Sequence, residues 1–133
     1  MKTSLLSVLM FFLLTGVQQH ERAATSELNG KSFKIKLTLT DGKRAGWQWK
    51  TDVLSFASDK VTSREMKAHE GFPPFDYLID DQGSSVVIHG MVKNRGISKI
   101  DWEATIRGDT ISGTAIWTNG QGVQTYAFKG VAR

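Results

Sequence analysis

The chain has 133 residues, 17 lysines and arginines against 13 acidic side chains, and no cysteine. That length supports one domain and is too short for two once any leader is set aside, and without cysteine the fold must hold itself together by burial alone. The basic excess is spread thinly, with no block longer than Lys43-Arg44, which argues against a nucleic-acid partner.

The apolar run Leu5 to Val17 follows a lone Lys2 and is shorter than a membrane-spanning helix requires, so it reads as the core of a secretory signal peptide. Leu14-Thr15-Gly16-Val17 has the small-residue pattern that precedes a lipidated cysteine, but Val17 stands where the cysteine would be, so no lipid anchor is expected. Ala24-Thr25-Ser26 supplies the small residues before a cleavage site, after a polar spacer from Gln18 to Ala23. The expected layout is a signal peptide over 1–26 and one domain over 27–133, secreted or periplasmic. Lys2, Glu21 and Arg22 fall within the leader, which lowers the formal charge from +4 to +3.

Beyond the leader the dominant pattern is alternation. Phe33, Ile35, Leu37 and Leu39 point one way, and Lys34, Lys36, Thr38 and Thr40 the other, as in a half-buried strand. Asp41-Gly42 begins a turn, and a second strand starts at Trp47-Gln48-Trp49-Lys50 and continues over Asp52 to Phe56. Ser58-Asp59-Lys60 turns the chain into Val61 to Met66, and Lys67 to Pro74 is read as irregular. Strands follow over Phe75 to Asp80, Ser85 to Val92 and Ile97 to Arg107. Gly108-Asp109 and Asn119-Gly120 then make hairpin turns into Thr110 to Thr118 and Val123 to Val131. Eight strands and no helix after the leader predict an all-β domain. Short links favour an antiparallel up-and-down barrel that leaves no open edge, with a β-sandwich as the alternative.

Leu28-x-Gly30-Lys31-x-Phe33, Asp52-x-Leu54-x-Phe56, Gly71-Phe72, Gly108-Asp109-x-Ile111-x-Gly113-Thr114, Trp117 and Tyr126-x-Phe128-x-Gly130 cover most of this domain. In that order they resemble small uncharacterised secreted bacterial proteins with a lipocalin-like, or more broadly calycin-like, β-barrel. The Gly-x-Trp of lipocalins proper is replaced here by Gly30-Lys31-Ser32-Phe33. The resemblance implies an architecture and carries no catalytic residue or cofactor with it.

Candidate chemistry is sparse. Asp101 and Glu103 share a strand face with Lys99, Thr105 and Arg107, while Ile100, Trp102, Ala104 and Ile106 take the other, so the carboxylates belong to a solvated face. His69-Glu70 lies in the expected loop without a nucleophile motif, and His89 lacks further metal ligands at known spacing. Arg107-Gly108-Asp109 matches the integrin-binding tripeptide and reads more simply as a hairpin turn. Lys34, Lys36 and Lys129 would form one anion-facing stripe if the last strand pairs with the first. No catalytic residue, cofactor or metal is expected, and stable membrane insertion is disfavoured because the charged faces would meet lipid.

An eight-stranded barrel is just wide enough to be filled by side chains or to hold one small ligand. Phe33, Phe56, Tyr77, Trp102, Trp117, Tyr126 and Phe128 fall on expected inward faces, and Gly71-Phe72-Pro73-Pro74 is a stiff segment able to cap a barrel mouth. The first functional expectation is a non-enzymatic binding module for a small apolar or aromatic ligand, held by Trp47, Trp49, Phe72, Tyr77 and Trp117. The alternative is a filled barrel that contacts an envelope component or protein partner through the Phe72 loop and the basic face.

Overall fold

The structure, a computed structural model, describes the backbone of residues 21–23 and all of residues 27–42 and 50–133. Its elements in chain order are β1 (Glu21–Ala23), β2 (Ser32–Asp41), β3 (Thr51–Ala57), β4 (Lys60–Ser63), α1 (Arg64–Glu70), β5 (Phe75–Asp81), β6 (Val86–Lys93), β7 (Lys99–Arg107), β8 (Thr110–Asn119) and β9 (Gly122–Ala132). Strands β2 to β9 pair each with the next, all antiparallel, and β9 returns to β2 from Phe33↔Ala132 to Asp41↔Thr125. The result is a closed eight-stranded up-and-down barrel, as the alternation and short links imply. β4 is short and covers only Phe75 and Asp76 of β5; beyond it, β1 pairs with Leu78 to Asp80. The remainder of the expected leader, the cleavage site included, lies outside the described residues, as does the start of the second expected strand at Trp47 to Trp49.

One expectation is overturned. Residues 64–70 form a helix where a strand end and an irregular loop were read, and His69 and Glu70 lie in its last turn. Local sequence explains it. The Ser63 side chain accepts from the Met66 N–H at the N-cap, Gly71 closes the C-terminus at φ 71°, and Pro73 cannot continue the helix. A helix of seven residues does not stand alone, and this one is held by the complete burial of Met66.

The antiparallel order places successive links at alternate ends. Ser58-Asp59, Gln82 to Ser85 and Gly108-Asp109 lie at one end, and residues 28–31 fold over it, with Gly30 N–H donating to the Phe56 carbonyl at 2.7 Å. At the other end lie α1 with Gly71 to Pro74, the β6–β7 turn and the β8–β9 turn, and Asn94 Nδ2 donates to the Glu70 carbonyl to tie two of them together.

The inward faces are those the alternation predicts. Phe33, Ile35, Leu54, Phe56, Tyr77, Ile79, Ile88, Ile100, Trp102, Ile111, Trp117, Tyr126 and Phe128 belong to one buried cluster. Two aromatic chains run through it. Phe33, Phe56 and Tyr77 meet edge to face at centroid distances of 6.1 and 5.4 Å, while Trp102 stacks on Phe75 at 6.0 Å and meets Phe128 edge-on at 5.6 Å.

Candidate functional site

The residues expected to form an apolar ligand site separate. Phe72, Tyr77 and Trp117 are all buried in the core cluster, and Trp47 and Trp49 lie outside the described residues. Phe72 follows the helix and Trp117 precedes the β8–β9 turn, both at the helix end, whereas Tyr77 packs on Phe56 near the β3–β4 turn at the opposite end. The Tyr77 hydroxyl is buried without a hydrogen-bond partner among the described residues, and its pKa is pushed up to about 12, first by burial and then by the Asp59 charge.

The remaining polar candidates sit where alternation puts them. Asp101 and Glu103 face outward, with Lys99 Nζ at 3.9 Å from Asp101 and His89 Nδ1 at 3.4 Å from Glu103. His69 Nε2 lies 3.3 Å from Glu65 one helical turn earlier. Among the described residues, no three His, Cys, Asp or Glu side chains gather to hold a metal ion.

A buried acid that alternation alone does not single out is Asp52. It lies inside the barrel wall on β3, fully buried, beneath the start of α1. Its Oδ1 accepts from Val53 N–H at 2.6 Å and from Glu65 N–H at 3.0 Å, and its Oδ2 accepts a short bond from the Ser63 hydroxyl. Burial raises its pKa above the usual carboxylate value, against the lowering effect of those three hydrogen bonds. Both carboxylate oxygens are engaged and the group is closed to solvent, so it organises the first turn of α1. The signal in the sequence was an Asp on an inward strand position.

The outer face of β2, β9 and β8 has a different character. Lys36 lies directly opposite Lys129, which lies opposite Ser112; Lys34 lies opposite Val131, which lies opposite Thr110. These six side chains line a cleft of about 580 Å³. Gly130 faces the barrel interior between Ile35 and Ile111, and a Cβ there would overlap the Lys34 carbonyl oxygen, so β9 and β2 approach closely beneath the lysines. Like charges directly opposite one another destabilise a sheet, and among the described residues none of the three ammonium groups is neutralised by an ion pair. The arrangement anticipated from the sequence is therefore present: three exposed cations with two hydroxyls beside them, a donor set suited to an anion.

No family model, curated protein or solved structure matches this chain. The functional reading rests on the geometry of the barrel itself.

Proposed function

We propose that this protein is a secreted or periplasmic, non-enzymatic interaction barrel that holds an anionic envelope component against the outer face carrying Lys34, Lys36 and Lys129. The observation that carries this reading is the direct opposition of Lys36 and Lys129 next to Lys34 with no carboxylate among the described residues to neutralise them. A cross-strand lysine pair costs stability unless an anion compensates it. The reading prefers the second of the two sequence expectations, because Phe72, Tyr77 and Trp117 are spent on packing the described interior. An apolar guest held by those rings would have to displace them from their places in the core. Phe72 is likewise buried, which leaves the basic face as the contact surface.

The test is co-sedimentation of the purified domain with phosphatidylglycerol vesicles, with phosphatidylcholine vesicles alongside. Each lysine near an anionic surface contributes about 1 kcal/mol, so replacing all three by Gln should weaken binding about 100-fold, and added salt should weaken wild-type binding. Equal binding of both vesicle types, or an unchanged affinity of the triple variant, would overturn the proposal.

A further inference from the structure

We infer that a second, separate site on the outer face of β5 to β8 takes a small organic cation with an alkyl or aryl body. Two cross-strand rows build it. Leu78 lies opposite His89, His89 opposite Glu103 and Glu103 opposite Thr114; Met91 lies opposite Asp101, and Asp101 opposite Ile116. With Asp59 and Asp76 these side chains line a cleft of about 730 Å³, in the size range of small-molecule sites.

The cleft is unusual for a solvent-facing sheet surface in being both apolar and acidic. Leu78, Met91 and Ile116 are 47%, 48% and 37% exposed, and all three fall within it. Four carboxylates surround them. Asp76 pairs with Lys60 at 2.7 Å and Asp101 with Lys99 at 3.9 Å, but both pairs are solvent-exposed and neither lysine lines the cleft. Asp59 is held by the neutral Asn29 amide, and Glu103 lies 3.4 Å from His89 Nδ1, which lines the cleft as well.

These features select the occupant by charge and polarity together. A neutral apolar guest would strip water from carboxylates and return nothing, and an anion would be repelled. A bare metal ion would leave Leu78, Met91 and Ile116 in water. An ammonium group on an apolar body covers the exposed side chains and places its charge among Asp101, Glu103, Asp59 and Asp76. Further along the same outer side of β8, Thr110 and Ser112 belong to the lysine cleft, so the outer surface of one barrel carries two patches of opposite sign.

The experiment uses protein labelled with ¹³C at its methionine methyl groups. Met91 lines the cleft and reports on it, while Met66, fully buried under α1, serves as the internal control. Benzyltriethylammonium is titrated in, with benzyl alcohol and benzoate as the neutral and anionic comparators. The expected result is a saturable shift of the Met91 methyl with the cation alone, Met66 unmoved. The combined Asp101→Asn and Glu103→Gln variant should bind about five- to tenfold more weakly. Added salt should weaken the wild-type complex, which gives a second readout independent of any variant. The inference is overturned if Met91 does not respond, if benzyl alcohol or benzoate binds as well as the cation, or if Met91 shifts with protein concentration alone, since a second copy would then occupy the cleft.

Discussion

Replacing Asp52 by Ala should destabilise the domain by about 3 to 4 kcal/mol. The substitution removes the acceptor for Val53 N–H, Glu65 N–H and the Ser63 hydroxyl together. A buried donor left without a partner costs about 1 to 3 kcal/mol, and the half-buried Glu65 N–H and the rotatable Ser63 hydroxyl fall at the lower end. Relief of the desolvation that raises the Asp52 pKa offsets part of the loss. Asp52→Asn keeps an acceptor for both backbone groups and offers Ser63 a donor, so it should cost about 1 kcal/mol or less. The pH dependence has a definite sign. Because the folded pKa lies above the ordinary aspartate value of 3.8, the folded chain keeps a proton in the window between the two where the unfolded chain has lost it. The contribution of Asp52 to stability therefore increases as pH falls through that window, is complete below about 3.8, and is lost as pH rises through the folded value. Urea unfolding followed by tryptophan fluorescence, for wild type and both variants at neutral and acidic pH, measures these terms. A cost below about 1 kcal/mol for Asp52→Ala, or a wild-type advantage over Asp52→Asn that shrinks on acidification, would refute the reasoning.

Trp102→Ala should cost about 3 to 5 kcal/mol in urea unfolding, because the indole stacks on Phe75 and meets Phe128 inside the buried core; a change under about 0.5 kcal/mol would mean that the ring is dispensable to the core. Gly130→Ala should lower stability by about 1 to 3 kcal/mol, since the added Cβ meets the backbone of Lys34 and Ile35 rather than a movable side chain; a neutral effect in the same assay would show that β9 and β2 can separate without loss. Export of the full chain should yield a product beginning near Glu27, read by intact mass and N-terminal sequencing, and retention of residues 1–20 or a lipid adduct would refute the leader assignment.

The barrel was legible because its strands obey one rule along their whole length. Ile100, Trp102, Ala104 and Ile106 alternate with Asp101, Glu103 and Thr105, and a one-residue slip would turn Trp102 into water. Closure was legible too, since a chain of short antiparallel links with an apolar inward face has few other ways to cover its edges. The helix escaped that rule. Val61 and Ser63 still alternate with Lys60 and Thr62 as a strand does, and the change of period at Arg64 is marked only by the Ser63 cap, Gly71 and Pro73. Tertiary partners then decide a segment that short: Met66 enters the core, and Asp52, distant in sequence, accepts from its first turn. Alternation carries less information about the expected apolar ligand site. Inward alternation identifies which rings are buried and says nothing about whether they leave space between them, and Phe72, Tyr77 and Trp117 are spread over two ends of the barrel.

With Phe72, Tyr77 and Trp117 packed in the core cluster, the question of function moves to the outer faces, where alternation leaves side chains free of packing demands. On that surface a residue costs the fold little, so its chemistry can be set by a partner. Lys36 opposite Lys129 is a combination that packing would not favour, and Leu78, Met91 and Ile116 beside four carboxylates is one that solvent would not favour. Both departures occur on one closed barrel with opposite charge, and the outer side of β8 belongs to both, through Thr110 and Ser112 toward its start and Thr114 and Ile116 toward its end. Because each face is built from side chains pinned to hydrogen-bonded strands, with Asp59 in the tight β3–β4 turn the one exception, neither needs a long loop to assemble it. An anion on the lysine face and an organic cation on the acidic face would therefore bind without reorganising the barrel and act independently, so neutralising Lys34, Lys36 and Lys129 should leave the Met91 response to the cation unchanged to within about twofold. Loss of that response in the triple variant would show that the two faces are energetically one site.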